Sequence, residues 1–267
     1  SPAARAKHLV APAHKEDMMT TLTIGHPDNT IHEATAAAII RVLEANDVEP
    51  EIVIGPKAAL SDMLQTGEVD LYVSAWLPGE DEALLTPGVT ALGALFNPTL
   101  CCCISQEEST LGSLADIAHA PDTLSRTLVT QASLETHAKA MMAAYNLAAA
   151  GFTLDVMPDE QAIASLAKSL ANQDIVLMLL AQPCYLFHQG GFKILNDPQQ
   201  ALGGEMTARM LLRPGLAAEL DQDLKDELDE LMLSAKVISA MDFAMRTEGL
   251  SADEAAESWQ RGKLLPR

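Results

Sequence analysis

Along the chain the spacing of apolar residues switches repeatedly from a strand period to a helix period. Leu22-Thr23-Ile24-Gly25 reads as a short strand that runs into the turn-forming segment His26-Pro27-Asp28-Asn29. Thr30-Ile31-His32-Glu33 has the spacing of a capping box, and Ile31, Ala34, Ala38, Val42 and Ala45 mark one face of a helix ending near Asn46. A strand is expected over Glu51 to Ile54, a helix over Lys57 to Gln65 stopped by Gly67, and a third strand over Asp70 to Trp76. The turn Leu77-Pro78-Gly79 closes that series. The order β-α-β-α-β predicts a parallel sheet with helices on both faces.

A second series follows. Helices are expected over Ser113 to Ala120, Ser133 to Tyr145 with Ser133 as N-cap, and Asp159 to Asn172. Strands are expected over Leu128 to Thr130, Phe152 to Val156 and Ile175 to Leu180. Leu224, Leu228, Leu231, Ala235, Ile238 and Met245 form the stripe of one long helix, and Ser251 to Glu254 supply another capping box. The fold class is therefore α/β, with two lobes and a ligand cleft between them. Ligands of open α/β sheets sit at the carboxyl ends of strands, so the loops at 25–29, 75–79, 130–134 and 180–185 are expected to face the cleft.

Charge narrows the choice of ligand. The 267 residues carry 37 acidic against 17 basic side chains, a net charge of −20, which disfavours nucleic acid and anionic membrane surfaces and suits a small cation or zwitterion. Hydrophobic residues make up 48% of the chain, enough for a substantial core, yet no apolar stretch approaches the ~20 residues needed to span a bilayer. Direct membrane insertion is not expected. Residues 1–19 hold Pro2, Pro12 and basic residues without apolar periodicity, and read as a disordered tail or expression remnant.

Cys101-Cys102-Cys103 lie in an apolar run from Thr99 to Ile104, and Cys184 stands alone. Adjacent cysteines lack the reach for an ordinary bridge, and their spacing fits no zinc pattern, so a buried strand bearing thiols is expected. No GxSxG, P-loop, HExxH or GxGxxG motif occurs, and the histidines show no metal-ligand spacing. The expectation is a protein that is not an enzyme and needs no cofactor or metal. A hydrolase with Cys184 as nucleophile and His26 as base is the lesser alternative.

One segment reads Ser74-Ala75-Trp76-Leu77-Pro78-Gly79 preceded by Asp70-Leu71-Tyr72-Val73. Another reads Pro183-Cys184-Tyr185-Leu186-Phe187, followed by Phe192 to Pro198. These two resemble signatures of the glycine betaine/choline (quaternary-amine) substrate-binding proteins of ABC importers. A third, weaker match covers Gly249-Leu250-Ser251 to Ala256 with Trp259. The resemblance implies a type II periplasmic-binding-protein fold, with one lobe from 20–104 and 197–267 and the other from 105–196. It also implies crossings near Cys101–Gln106 and Asn196–Gly203. Its partners would be a small amine or zwitterion and the membrane subunits of an importer. The protein would act as a monomer in the periplasmic or extracytoplasmic space. A cytosolic small-molecule sensor using the same fold is the alternative.

Members of that family hold a quaternary ammonium in a box of aromatic faces, each contributing about 0.5–2 kcal/mol by cation–π attraction. Trp76 matches one box residue. His26 stands where many members carry a tryptophan, Ala181 stands at another, and Cys184 replaces the family histidine. Trp76 and Trp259 are the only tryptophans, so a three-tryptophan cage cannot form. The expected ligand-binding residues are His26, Asp28, Trp76, Leu77, Gln131, Ser133, Gln182 and Cys184. His26 and Gln182 would add hydrogen-bonding capacity, and Asp28 would neutralise a cationic head or serve as a turn or cap. Gln131 and Ser133 lie where the family holds a ligand's carboxylate at a helix start. The ligand is thus expected to be betaine- or choline-like but atypical.

Overall fold

The structure, a computed structural model, describes residues 21–264; the stretch expected to be a tail lies outside the described residues. In chain order the strands and helices begin with β1 (Thr21–His26), α1 (Thr30–Ala45), β2 (Glu49–Ile54), α2 (Lys57–Thr66), β3 (Leu71–Leu77) and β4 (Thr90–Phe96). Next come β5 (Thr99–Ile104), β6 (Thr127–Gln131), α3 (Glu135–Ala144), β7 (Thr153–Met157), α4 (Asp159–Ala171), β8 (Leu177–Gln182), α5 (Tyr185–Gln189) and β9 (Lys193–Ile194). The chain ends with β10 (Thr207–Leu212), α6 (Leu216–Glu219), α7 (Gln222–Glu230), α8 (Ala235–Thr247) and α9 (Ala252–Gln260). They form two compact units, one made of residues up to Asn97 and from Met206 onward, the other of Pro98–Glu205.

The first unit is built on a five-stranded sheet of order β2-β1-β3-β10-β4. β1 runs parallel to β2 and β3, as the β-α-β-α-β pattern requires, whereas β10 enters antiparallel between β3 and β4 and makes the sheet mixed. Helices cover both faces. Ala34, Ala38, Ile39, Val42 and Leu43 of α1 join Leu71 and Val73 of β3 and the apolar sides of α7, α8 and α9 in one core, while Leu60 and Leu64 of α2 pack with Tyr72, Ala75 and Leu77. Each fully buried Ile or Leu contributes about 1.5–3 kcal/mol relative to exposure.

Helix ends show where side-chain chemistry departs from spacing. Asn29, not Thr30, caps α1: it stays extended and its side chain accepts from the His32 N–H at 2.9 Å. Gly67 ends α2 in the left-handed region, φ 85°, as expected of a residue without Cβ. The single long helix expected from Leu224 to Met245 is two helices. At residues 231–234 the chain extends, the N–H groups of Leu233 and Ser234 donate to Leu95 O in β4, and Ser234 caps α8. Leu231 and Leu233 keep the apolar pattern running across this break, which is why spacing alone reads it as continuous helix. The capping box of Ser251 and Glu254 forms as expected.

β5 is the centre of the second unit. It pairs antiparallel with β8 along its length and with β9 on its other edge, in the order β8-β5-β9; β6 and β7 form a separate parallel pair. This pairing carries the cysteine strand into the second unit. The division of the chain therefore falls at Asn97/Pro98 and Glu205/Met206, displaced from the boundaries implied by resemblance. Ser113 caps a short 3-10 helix, Leu114–His119, in place of the expected α-helix. α3 likewise starts at Glu135, after a 3-10 turn over Ala132–Leu134, so Ser133 is not its N-cap. Asp197 organises the segment leading out of the unit: its carboxylate accepts from the Tyr145 hydroxyl and from the N–H groups of Ala201 and Leu202.

All four cysteines are buried and none is in a disulfide. Cys101, Cys103 and Cys184 pack with Ile163, Leu166, Met178 and Leu180. Burial pushes the Cys102 thiol up to about 12 and raises those of Cys101 and Cys103 as well. Since the thiolate is the reactive form, the run Cys101–Cys103 is expected to resist an aromatic disulfide reagent at pH 8 in the native protein and to react fully in denaturant. Rapid labelling of the native chain at these positions would contradict their placement.

Candidate ligand-binding site

The carboxyl ends of β1, β2 and β3 and the starts of α1 and α2 meet at one edge of the first unit's sheet. What Trp76 does there depends on a bulge. Arg209 of β10 lies opposite Ala75, but Leu211 lies opposite Tyr72, so β3 uses three residues where β10 uses two. Strict alternation would put Trp76 on the face of Tyr72. The extra residue shifts the phase, so Trp76 packs with Leu71 and Val73 while Tyr72, Ala75 and Leu77 share the opposite face. The Trp76 ring is stacked on His32 at a centroid distance of 6.3 Å and 13° between planes, and meets Phe96 edge-on at 6.3 Å.

The loop after Trp76 is closed by Asp81. One carboxylate oxygen of Asp81 accepts from the Trp76 N–H at 2.8 Å, and the Asp81 N–H donates to Trp76 O at 3.1 Å. The other oxygen accepts from Lys57 Nζ at 2.7 Å. Asp81 is only 2% exposed, while the Lys57 side chain, at the start of α2, is 46% exposed.

Among the expected residues of this unit, His26 ends β1 and is 3% exposed, its Nδ1 2.7 Å from Pro27 O. Asp28 is exposed in the next loop, and the cap role open to it belongs to Asn29. Leu77 lies in the core beside Leu60, Leu64 and Leu84. Trp76 is half-buried. Sequence reading missed His32, Lys57 and Asp81. A signal for His32 existed: it extends the buried stripe Ala36, Ile39 and Leu43 back by one turn.

The second unit holds the other four. Gln131 ends β6 and Gln182 ends β8, where its Oε1 accepts from the Thr99 hydroxyl at 3.4 Å. Cys184 is buried immediately before α5. The N–H of Ser133, assigned by resemblance to a ligand's carboxylate, donates to Asp159 Oδ1 at 3.0 Å. A carboxylate of the protein itself thus occupies that donor. Among the described residues no group of histidines, cysteines and acids could hold a metal ion.

His32 is fully enclosed. Its Nε2 lies 3.2 Å from Ser74 O and its Nδ1 2.9 Å from Asn29 Oδ1. Burial, aided by the charge of Lys57, lowers its pKa to about 4, against the opposing pull of Asp81 and the Ser74 carbonyl. The imidazole is therefore neutral at pH 7, and its single N–H satisfies only one of the two oxygens. A depressed histidine pKa means the unfolded chain takes up the proton first. Stability from this group is whole above about 6.5 and is lost as pH falls toward 4. We expect His32 to account for a loss on the order of 2 kcal/mol between pH 7 and 4.5. Denaturant unfolding of His32→Gln should show a shallower fall over that range than the parent; equal slopes would refute the assignment.

Comparison with known proteins places this arrangement in context. Residues 20–261 match the family described as the substrate-binding domain of the ABC-type glycine betaine transport system. No curated protein matches the chain in sequence. Among solved structures it is similar to lactococcal OpuAC in a closed, liganded form complexed with glycine betaine, with a TM-score of 0.74, 16% identity, and 91% of this chain and 96% of that one covered. It is also similar to ProX, a glycine/betaine/L-proline-binding protein from Borrelia burgdorferi (TM-score 0.71, 19% identity, 92% and 97% covered). An ABC-transporter choline-binding protein in complex with choline gives a TM-score of 0.71 at 18% identity, with 92% and 89% covered. At such identities the likeness is one of fold. The match over nearly the whole described chain carries the family, whose members are receptors and not hydrolases: the protein belongs to the substrate-binding domains of ABC-type glycine betaine transport systems.

Proposed function

We propose that the protein captures a small organic cation of the choline type and delivers it to the membrane subunits of an ABC importer, working as a monomer on the extracytoplasmic side. The observation that carries this reading is Trp76, half-buried at the end of β3 within a family signature and turned by the bulge toward His32 and Phe96. An aromatic face attracts a methylated ammonium without offering donors that the ligand cannot use. With Trp259 in α9, packed against the first unit's core, the ligand meets at most one tryptophan, so selectivity rests more on polar contacts than in a full aromatic box. Within the first unit, His26 and Asp28 are the side chains we assign to those contacts; Leu77 lies on the opposite face of β3 from Trp76, beside Leu60, Leu64 and Leu84, and is given no such role.

Two features favour a cation over a zwitterion. The chain carries a net charge of −20, and Asp159 fills the Ser133 N–H that would otherwise meet a ligand's carboxylate. Among the described residues no helix is long and apolar enough to cross a membrane, which is consistent with a receptor that relies on separate membrane subunits.

A thermal-shift screen with choline, glycine betaine, carnitine, proline betaine, unmethylated amino acids and polyamines tests the reading. A ligand at 100 times its Kd adds about 2.7 kcal/mol, equivalent to a rise of about 5–10 °C for a chain of this size. Choline is expected to give the larger shift of the choline–betaine pair, and Trp76→Ala to remove it with the fold intact. No shift with any of these compounds would overturn the amine assignment.

A further inference from the structure

We infer that Asp81, with Lys57 as its counter-ion, is a positioning residue that fixes Trp76 for ligand binding; the binding part of this inference rests on the reading above. Trp76 sits just past a register shift, where the ladder to β10 no longer follows regular alternation. Its backbone is held from the far side of the turn by both the carboxylate and the N–H of Asp81, a reciprocal pair spanning residues 76–81. Asp81 O accepts in turn from the Leu84 N–H, anchoring the turn to the short helix at Glu82–Leu84.

A carboxylate this deeply buried is costly unless charged and polar donors meet it. Lys57 supplies the charge from the start of α2, tying the end of β3 to the loop after β2. The donors are divided: one oxygen takes the ammonium and the other takes the Trp76 amide, so neither can be lost without leaving the other half-satisfied. A turn without this acid would still reverse the chain. It would not fix the backbone from which the Trp76 ring projects, and the stacking on His32 depends on that backbone.

The test uses the whole chain in a Trp259→Phe background, where Trp76 is the only tryptophan. Asp81→Ala should shift Trp76 emission to longer wavelength and weaken choline binding by about tenfold, the effect of misplacing one aromatic face. Asp81→Asn keeps one acceptor for the Trp76 amide but sets its NH2 against the Lys57 ammonium, and should fall between the parent and Asp81→Ala in both readouts. Asp70→Asn is the control for general destabilisation. Its carboxylate binds the Thr23 amide and Arg213 at the opposite end of β3, and its loss should lower the melting temperature without moving emission or affinity. Unchanged emission in Asp81→Ala, or an equal shift in Asp70→Asn, would overturn the positioning role. Because emission needs no ligand, it decides that role even where choline fails to bind the parent, a failure that counts against the amine reading instead.

Discussion

One additional residue in β3 determines where the only tryptophan of the first signature points. Between Tyr72 and Ala75 the strand advances by three residues while β10 advances by two, and every side chain beyond that point changes face. With regular pairing, Trp76 would enter the core beside Leu60 and Leu64. With the bulge it stacks on His32 and meets Phe96 at the carboxyl edge of the sheet. The site of the first unit follows from that change of phase.

The same edge gathers polar groups that a core serving stability alone would avoid. Asp81 is buried and paired, and His32 is buried and held neutral. Tyr72 Oη, Ser74 Oγ and Trp76 Nε1 are buried without a hydrogen-bond partner. A buried polar atom without a partner costs about 1–3 kcal/mol. All three belong to β3, on or beside the bulge. The second unit offers a contrast: its cysteine strand is apolar and closely paired, and its thiols are held in the unreactive form.

Some of this was legible in the sequence for identifiable reasons. Strands β1 to β3 and helices α1 and α2 announce themselves by period, and Gly67 and Ser251 mark helix ends by chemistry that needs no distant partner. The cysteine strand is an uninterrupted apolar run. What depends on residues far apart in the chain was not legible. The bulge exists only against β10, the break before Ser234 only because Leu95 offers its carbonyl, and the Ser133 N–H is claimed by Asp159 from the start of another helix. Asp81 carries no periodic signal. Its partners are a backbone amide and a lysine from the preceding helix, and nothing in local spacing distinguishes it from the acids on either side of it, Glu80 and Glu82.

In the function proposed for this receptor, Trp76 supplies an aromatic face to a cationic ligand. An experimental structure of the chain bound to the amine that stabilises it most tests this directly. The ligand's ammonium is expected within about 6 Å of the Trp76 ring centroid, over its face. An ammonium bound away from Trp76, with that ring still packed on His32 and Phe96 and untouched by ligand, would contradict it.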